Sequence, residues 1–183
     1  MEQPTIDAGR LRLRPFTADD IDWVHQVALD PLMRTFIDLP SPYRREHAEH
    51  FVERLVREGW ATRRRVEYLA EDAATGERLG RAGLSLKTGG AAEVGYWVDP
   101  AARGRGVATT AVTALCGWAF ATLGLGIVHW RAEVGNDASR RVAEKAGFRV
   151  EATLRQRVVH RGQRVDAWLG SMLPEELCPV ADE

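Results

Sequence analysis

The segment "DPAARGRGVATTAV", residues 99–112, constrains the fold more than any other stretch of this chain. The apolar alternation "AEVGYWV" (92–98) runs into it, and Pro100 stops an extended strand from continuing. Gly104 and Gly106 let the backbone curl, and a helix-forming run follows as far as Gly124 or Gly126. Strand, glycine turn and long helix in that order put the helix N-terminus at the carboxyl end of the strand. The first amides of a helix have no partner within it and carry roughly half a positive charge. An anion with several oxygens suits such a place, and glycine at 104 and 106 permits close backbone approach. Arg103 and Arg105 add charge. The plainer alternative is a solvated basic loop that eases a helix start, and a short glycine pattern does not separate the two.

The other elements follow from periodicity. "RLRLR" (10–14) alternates like a half-buried strand, and Thr17 can cap a helix whose Ile21, Val24 and Ala28 share one face. Pro31, Pro40 and Pro42 mark a loop-rich passage with room for short helical turns, before a helix over 44–58. Strands are expected over 64–71, 77–87 and 92–98, divided by the turns "DAATG" and "KTGGA". The long helix covers 104–123, and "IVHWRAEV" (127–134) reads as a buried strand. Asn136 and Asp137 can cap a short helix that stops at Gly147. Strands near 148–158 and 164–173 flank the turn "HRGQ" as a hairpin. The order β-α-α-β-β-β-α-β-α-β-β describes an α/β protein with a mixed sheet. One domain over residues 1–183 is expected, since no repeat or linker interrupts the pattern.

Charge and cysteine narrow the partners. A net charge of −1 supplies no field for nucleic acid or an anionic membrane, and "RRR" (63–65) reads as a solvated strand start. No apolar run approaches the ~20 residues that span a bilayer. The first residues, "MEQPTIDAGRLRLRPF", lack the layout of a secretory signal. Cys116 and Cys178 stand in no metal-ligand spacing, so a reduced cytoplasmic protein with no metal site is the expectation.

The motif Arg103-x-x-Gly106-x-Ala108 resembles the phosphate loop of the GNAT superfamily of acyl-CoA-dependent N-acyltransferases. "NDASRRVAEKAGF" (136–148) is similar to the segment that follows the fifth strand in that family. Together with "GYWVDPAARGRG" and the opening "RLRLRPFTADDID", it looks like the RimJ/RimL branch, which acetylates ribosomal-protein N-termini. The resemblance implies a twisted mixed sheet of about seven strands, splayed between the fourth and fifth, with helices on both faces. It implies acetyl-CoA as co-substrate, its pantetheine arm beside Trp97 and Val98. Amides of Arg103, Gly104, Arg105, Gly106, Val107, Ala108 and Thr109 would take the pyrophosphate, with Asn136 toward the arm. Each has a plainer role: Trp97 as core, Thr109 as a solvated helix residue, Asn136 as a helix cap. The backbone amide of Val98 would face the thioester carbonyl.

The family's tyrosine before the "GF" pair is replaced here by Ala143, as is common in the RimJ/RimL branch. A thiol with pKa near ~8.5 still leaves tolerably without an acid. Ser139, one turn earlier, is a candidate to hydrogen-bond the departing sulfur, or else an ordinary first-turn hydroxyl. Glu93 shares a face with Gly95 and Trp97 and is the candidate base or ammonium anchor. Trp23, Trp60 and the loop 40–43 are expected to wall the acceptor pocket. The implied reaction is direct transfer of acetyl to a primary amine, on a peptide N-terminus or an amino-acid-like small molecule. The rival is a non-catalytic acyl-CoA-binding or regulatory domain. A homodimer joined near 148–173 is a further expectation.

Overall fold

A computed structural model describes residues 3–177. One sheet of eight strands runs through them in the order β1-β2-β3-β4-β5-β6-β8-β7. The strands are β1 (Ile6–Ala8), β2 (Leu11–Arg14), β3 (Arg65–Asp72), β4 (Arg78–Lys87), β5 (Ala91–Val98), β6 (Ile127–Glu133), β7 (Arg149–His160) and β8 (Gln163–Met172). Neighbours pair antiparallel except β5 and β6, which are parallel. The strand beyond the about seven expected is β1, which turns into β2 through Gly9 at φ +66. Its three residues are too few to show a period of two.

The helices are α1 (Ile21–Ala28), α2 (Pro31–Phe36), α3 (Arg45–Glu49), α4 (Arg57–Ala61), α5 (Val107–Leu123) and α6 (Asp137–Ala146). The helix expected over 44–58 is α3, a wide π segment at His50–Val56, and α4. α2 is a short helix within the passage expected to be loop-rich with short helical turns: Asp30 accepts a hydrogen bond from the Met33 amide and Pro31 takes the first turn.

α5 and α6 cover one face of the sheet, where Tyr68, Ala82, Leu84, Val94 and Trp130 pack on Val112, Leu115 and Ala143. On the other face Trp97 packs among Ile21, Val24 and Val52 of the smaller cluster built by α1, α3 and the π segment. That second face also carries buried charge. Glu67 pairs with Arg81 and Arg65, Glu71 with Arg12 and Arg14, and Asp20 with Arg14 and Arg78. Space there is tight: a Cβ at Gly83 would stand 2.0 Å from Glu67 Oε2. Cys116 is buried and free, and burial pushes its thiol up to about 12; Cys178 lies outside the described residues.

Candidate active site

β5 and β6 pair only from Ala91↔Ile127 to Val94↔Trp130. Beyond that point they part, and a cleft of about 610 Å³ opens between them. Residues 94–98 of β5 and 130–133 of β6 line it, with the 102–109 loop at one end and α6 along one side. The remaining wall is α2, through Leu32, Met33 and Phe36, with Ile37 and with Val158 of β7, and not Trp23, Trp60 or the loop 40–43. Trp23 instead lies 5.2 Å from Trp97 and donates to Asp99 Oδ2 at 2.9 Å. Trp97 packs on the smaller cluster and also lines the cleft.

At the loop, Gly104 and Gly106 take φ of +78 and +73, the left-handed region that favours glycine. Gly106 is the N-cap of α5 and supplies no side-chain bond, and no acidic residue occupies the first turn. The first intrahelical bond is Thr110 N–H to Gly106 O at 3.1 Å, so the amides of Val107, Ala108 and Thr109 have no helical acceptor. These orphan donors, aimed at a cleft and with no acidic side chain in their own turn, fit a diphosphate.

Arg103 lines the cleft and ion-pairs with Asp30, the cap of α2, and Arg105 lies 3.5 Å from Glu77. The hydrogen bond from Arg103 holds Asp30 below the usual carboxylate range. Arg10 donates to the Arg105 carbonyl at 2.7 Å and lies against Gly106. Arg141 and Lys145 line the cleft from α6 and make no ion pair among the described residues. Their i, i+4 spacing in "RRVAEK" was the signal available for them.

At the point where the strands part, Ser139, Tyr96 and Trp130 form one cluster. Tyr96 donates to the Ser139 carbonyl at 2.8 Å, and Trp130 Nε1 donates to Ser139 Oγ at 3.1 Å. Ser139 Oγ is 2.9 Å from the Tyr96 hydroxyl and donates there, which satisfies all three groups. Burial pushes Tyr96 up to about 12 despite the opposing bonds from Ser139 and Trp130. The Ser139 amide donates to Asn136 Oδ1 at 3.1 Å, so Asn136 caps α6 while also lining the cleft.

Glu93 is not among the cleft-lining residues. It sits opposite His129, one pair before the opening, and accepts from Arg131 at 3.0 Å. Strand alternation set its face correctly but could not show that the ladder is still closed there. The carboxylate that does line the cleft is Glu133, hydrogen-bonded at 2.5 Å to His160 Nδ1. Nothing local announces that pair, because its members lie on different strands. Among the described residues no cluster of three or more metal-ligating side chains occurs, and no helix is long and apolar enough to cross a membrane.

The family profile described as the acetyltransferase (GNAT) domain matches residues 10–149. A Bacillus subtilis protein named a ribosomal N-acetyltransferase, YdaF, is 38% identical over 85 residues, which spans 46% of each chain. The uncharacterized N-acetyltransferase p20 of Bacillus licheniformis is 26% identical over 94% of this chain and 97% of its own. Among solved structures, RimL, a ribosomal L7/L12 α-N-protein acetyltransferase in complex with coenzyme A, superposes with TM-score 0.84. It is 21% identical, covering 93% of this chain and 98% of that one. Spermidine N-acetyltransferase from Vibrio cholerae, in complex with coenzyme A and spermine, gives TM-score 0.77 at 19% identity, over 91% and 97% of the two chains.

Proposed function

Because this chain belongs to the GNAT acetyltransferase family, whose co-substrate is acetyl-CoA, we propose that it transfers acetyl from acetyl-CoA to a primary amine. The acceptor is a peptide N-terminus or an amino-acid-like small molecule. The observation that carries this reading is the opening between β5 and β6 ending on the uncapped amides of Val107, Ala108 and Thr109. Those amides, with the backbone of residues 103–106, take the pyrophosphate, and Arg10, Arg141 and Lys145 supply the cationic surroundings. The pantetheine arm follows the backbone at Trp97 and Val98 past Asn136.

The amine nitrogen, once neutral, bonds to the thioester carbonyl carbon beside the Val98 amide. The C–S bond then breaks with its electron pair on sulfur, and the thiolate is protonated. A dry cleft makes a fixed amide effective against the developing oxyanion. Ser139 and the Tyr96 hydroxyl it holds are the polar groups proposed near the departing sulfur. A covalent acetyl-enzyme is not part of this reading, as the buried Cys116 is a poor nucleophile with its thiol pushed to about 12. Glu93 serves by fixing Arg131.

The test is thiol release from acetyl-CoA with a panel of N-terminal peptides, free amino acids and polyamines. Release with an α-amine is expected. Tight coenzyme A binding without release across the panel would instead assign the chain to acyl-CoA sensing.

A further inference from the structure

We propose that His160 is the base that deprotonates the incoming amine, with Glu133 positioning its ring; this inference rests on the acetyl-transfer reading above. Glu133 ends β6 past the point where β5 has left it, and lines the cleft. His160 ends β7, and Val158, two residues before it on the same strand face, lines the same cleft. The two side chains are only 11% and 16% exposed, and His160 Nδ1 meets Glu133 Oε1 at 2.5 Å.

The chain brings them together by bending β7. Its register with β8 shifts between Leu154 and Val158, where Gln156 adopts φ +49 and donates its amide to Asp166 Oδ1 at 2.8 Å. Such a bulge re-aims the residues that follow it. The hairpin tip then reaches across the cleft, where Arg161 donates to the Arg34 carbonyl on α2 at 2.5 Å. Glu133 and Val158 thus line the cleft on the side facing α2, and His160 stands directly behind Glu133 with its Nε2 unbonded among the described residues.

The chemistry follows from the ring's two nitrogens. A carboxylate on Nδ1 selects the tautomer with its proton there, leaving the Nε2 lone pair to accept. Nε2 makes no hydrogen bond among the described residues. An ammonium R–NH3+ gives a proton to Nε2, and the imidazolium is stabilised by Glu133. The neutral amine then attacks, the C–S electron pair goes to sulfur, and the second amine proton ends on coenzyme A as thiol. His160 returns its proton to water, so R–NH3+ and acetyl-CoA yield R–NH–acetyl, coenzyme A and H+. The charged groups around His160 are already engaged. Arg131 pairs with Glu93, Arg164 and Asp166 bind the Gln156 backbone, and Arg161 binds α2. Among the described residues, Glu133 is the one side chain hydrogen-bonded or ion-paired to the ring.

The experiment measures kcat/KM against pH for the wild type, His160→Gln and Glu133→Gln, with two acceptors whose amine pKa values differ. The imidazole resonance of His160 is followed by NMR in the same proteins. In the wild type, one acid limb should stay fixed when the acceptor changes, while the acceptor's own limb moves. His160→Gln should lose that fixed limb and about 10²-fold in kcat/KM, with acetyl-CoA affinity unchanged. Glu133→Gln should lose about tenfold in kcat/KM and change the His160 ring resonances, since an amide that can turn either its N–H2 or its oxygen to Nδ1 no longer fixes the tautomer. Retention of the fixed limb in His160→Gln, or His160 ring resonances unchanged by Glu133→Gln, overturns the proposal while leaving acetyl transfer intact. Absence of wild-type thiol release with every amine overturns both.

Discussion

Asp20 is wholly enclosed yet meets two guanidinium groups, from Arg14 and Arg78, and the amide of Thr17. Burial acts to raise its pKa, but those hydrogen bonds outweigh it and hold the carboxyl at about 2. Because the folded value is depressed, the stabilisation is present above the unfolded value of ~3.9 and disappears as pH falls through about 2. The linked contribution is about 2 kcal/mol. Asp20→Asn should therefore lower Tm at neutral pH and lose less stability than wild type between about pH 4 and pH 2, read by thermal melts across that range. Gly106 allows a second residue-level test, because Gly124 has a similar φ, +64 against +73, at the far end of α5. Alanine at either site incurs ~1–2 kcal/mol of left-handed strain. Only Gly106→Ala should weaken acetyl-CoA, by calorimetry, since its Cβ stands where the anion approaches, 2.8 Å from the Arg10 guanidinium. Equal affinities in the two variants would remove the pyrophosphate assignment. The glycines were legible in the sequence because backbone conformation is a local matter. The arginines' partners were not, because Arg103 finds Asp30 from 73 residues away.

Elements were legible where their periods ran long. β3 to β8, α1, α5 and α6 all stand near their expected positions, with ends set by turn glycines or prolines, as at Gly124 and Gly147. α2 was expected only as a short helical turn, because Pro31 marked a loop-rich passage, although after Asp30 it opens a helix. Nothing in that turn marked it as a wall of the cleft, and the bend in β7 hid His160. α6 shows how one residue serves two levels. Asn136 caps it through the Ser139 amide, and Arg140 stacks 4.9 Å over Trp168 to hold it on the hairpin. Asn136→Ala should cost about 1 kcal/mol in a denaturant melt. Asn136→Asp retains a capping oxygen and should keep that stability. If Asn136 also donates to the pantetheine arm, both variants should weaken acetyl-CoA, because aspartate offers no amide donor. Loss of affinity in the alanine variant alone would confine Asn136 to its helix.

At the scale of the molecule, the parallel pairing of β5 with β6 joins two antiparallel ladders, β1 to β5 and β6 to β7. Four register pairs make that junction, and the strands then separate over the cleft. A ligand that bridges the separation binds the folded chain alone, so at a hundred times Kd it should add about 2.7 kcal/mol to stability. Acetyl-CoA should also slow hydrogen exchange at those amides of residues 95–98 that turn away from β4, whereas ADP, lacking the pantetheine arm, should leave them fast. Protection by ADP equal to that by acetyl-CoA would place the arm elsewhere. The separation has another consequence. A free strand edge is a template for aggregation, and proteins usually keep such edges short or charged on their perimeter. This sheet has an edge in its interior, recessed between α2 and α6. With α2 on one side and α6 on the other, that edge is held off the perimeter of the sheet, where a foreign strand would meet it. A recess suited to a thin chain carrying amide groups thus also keeps the protein's open backbone away from its own unfolded neighbours.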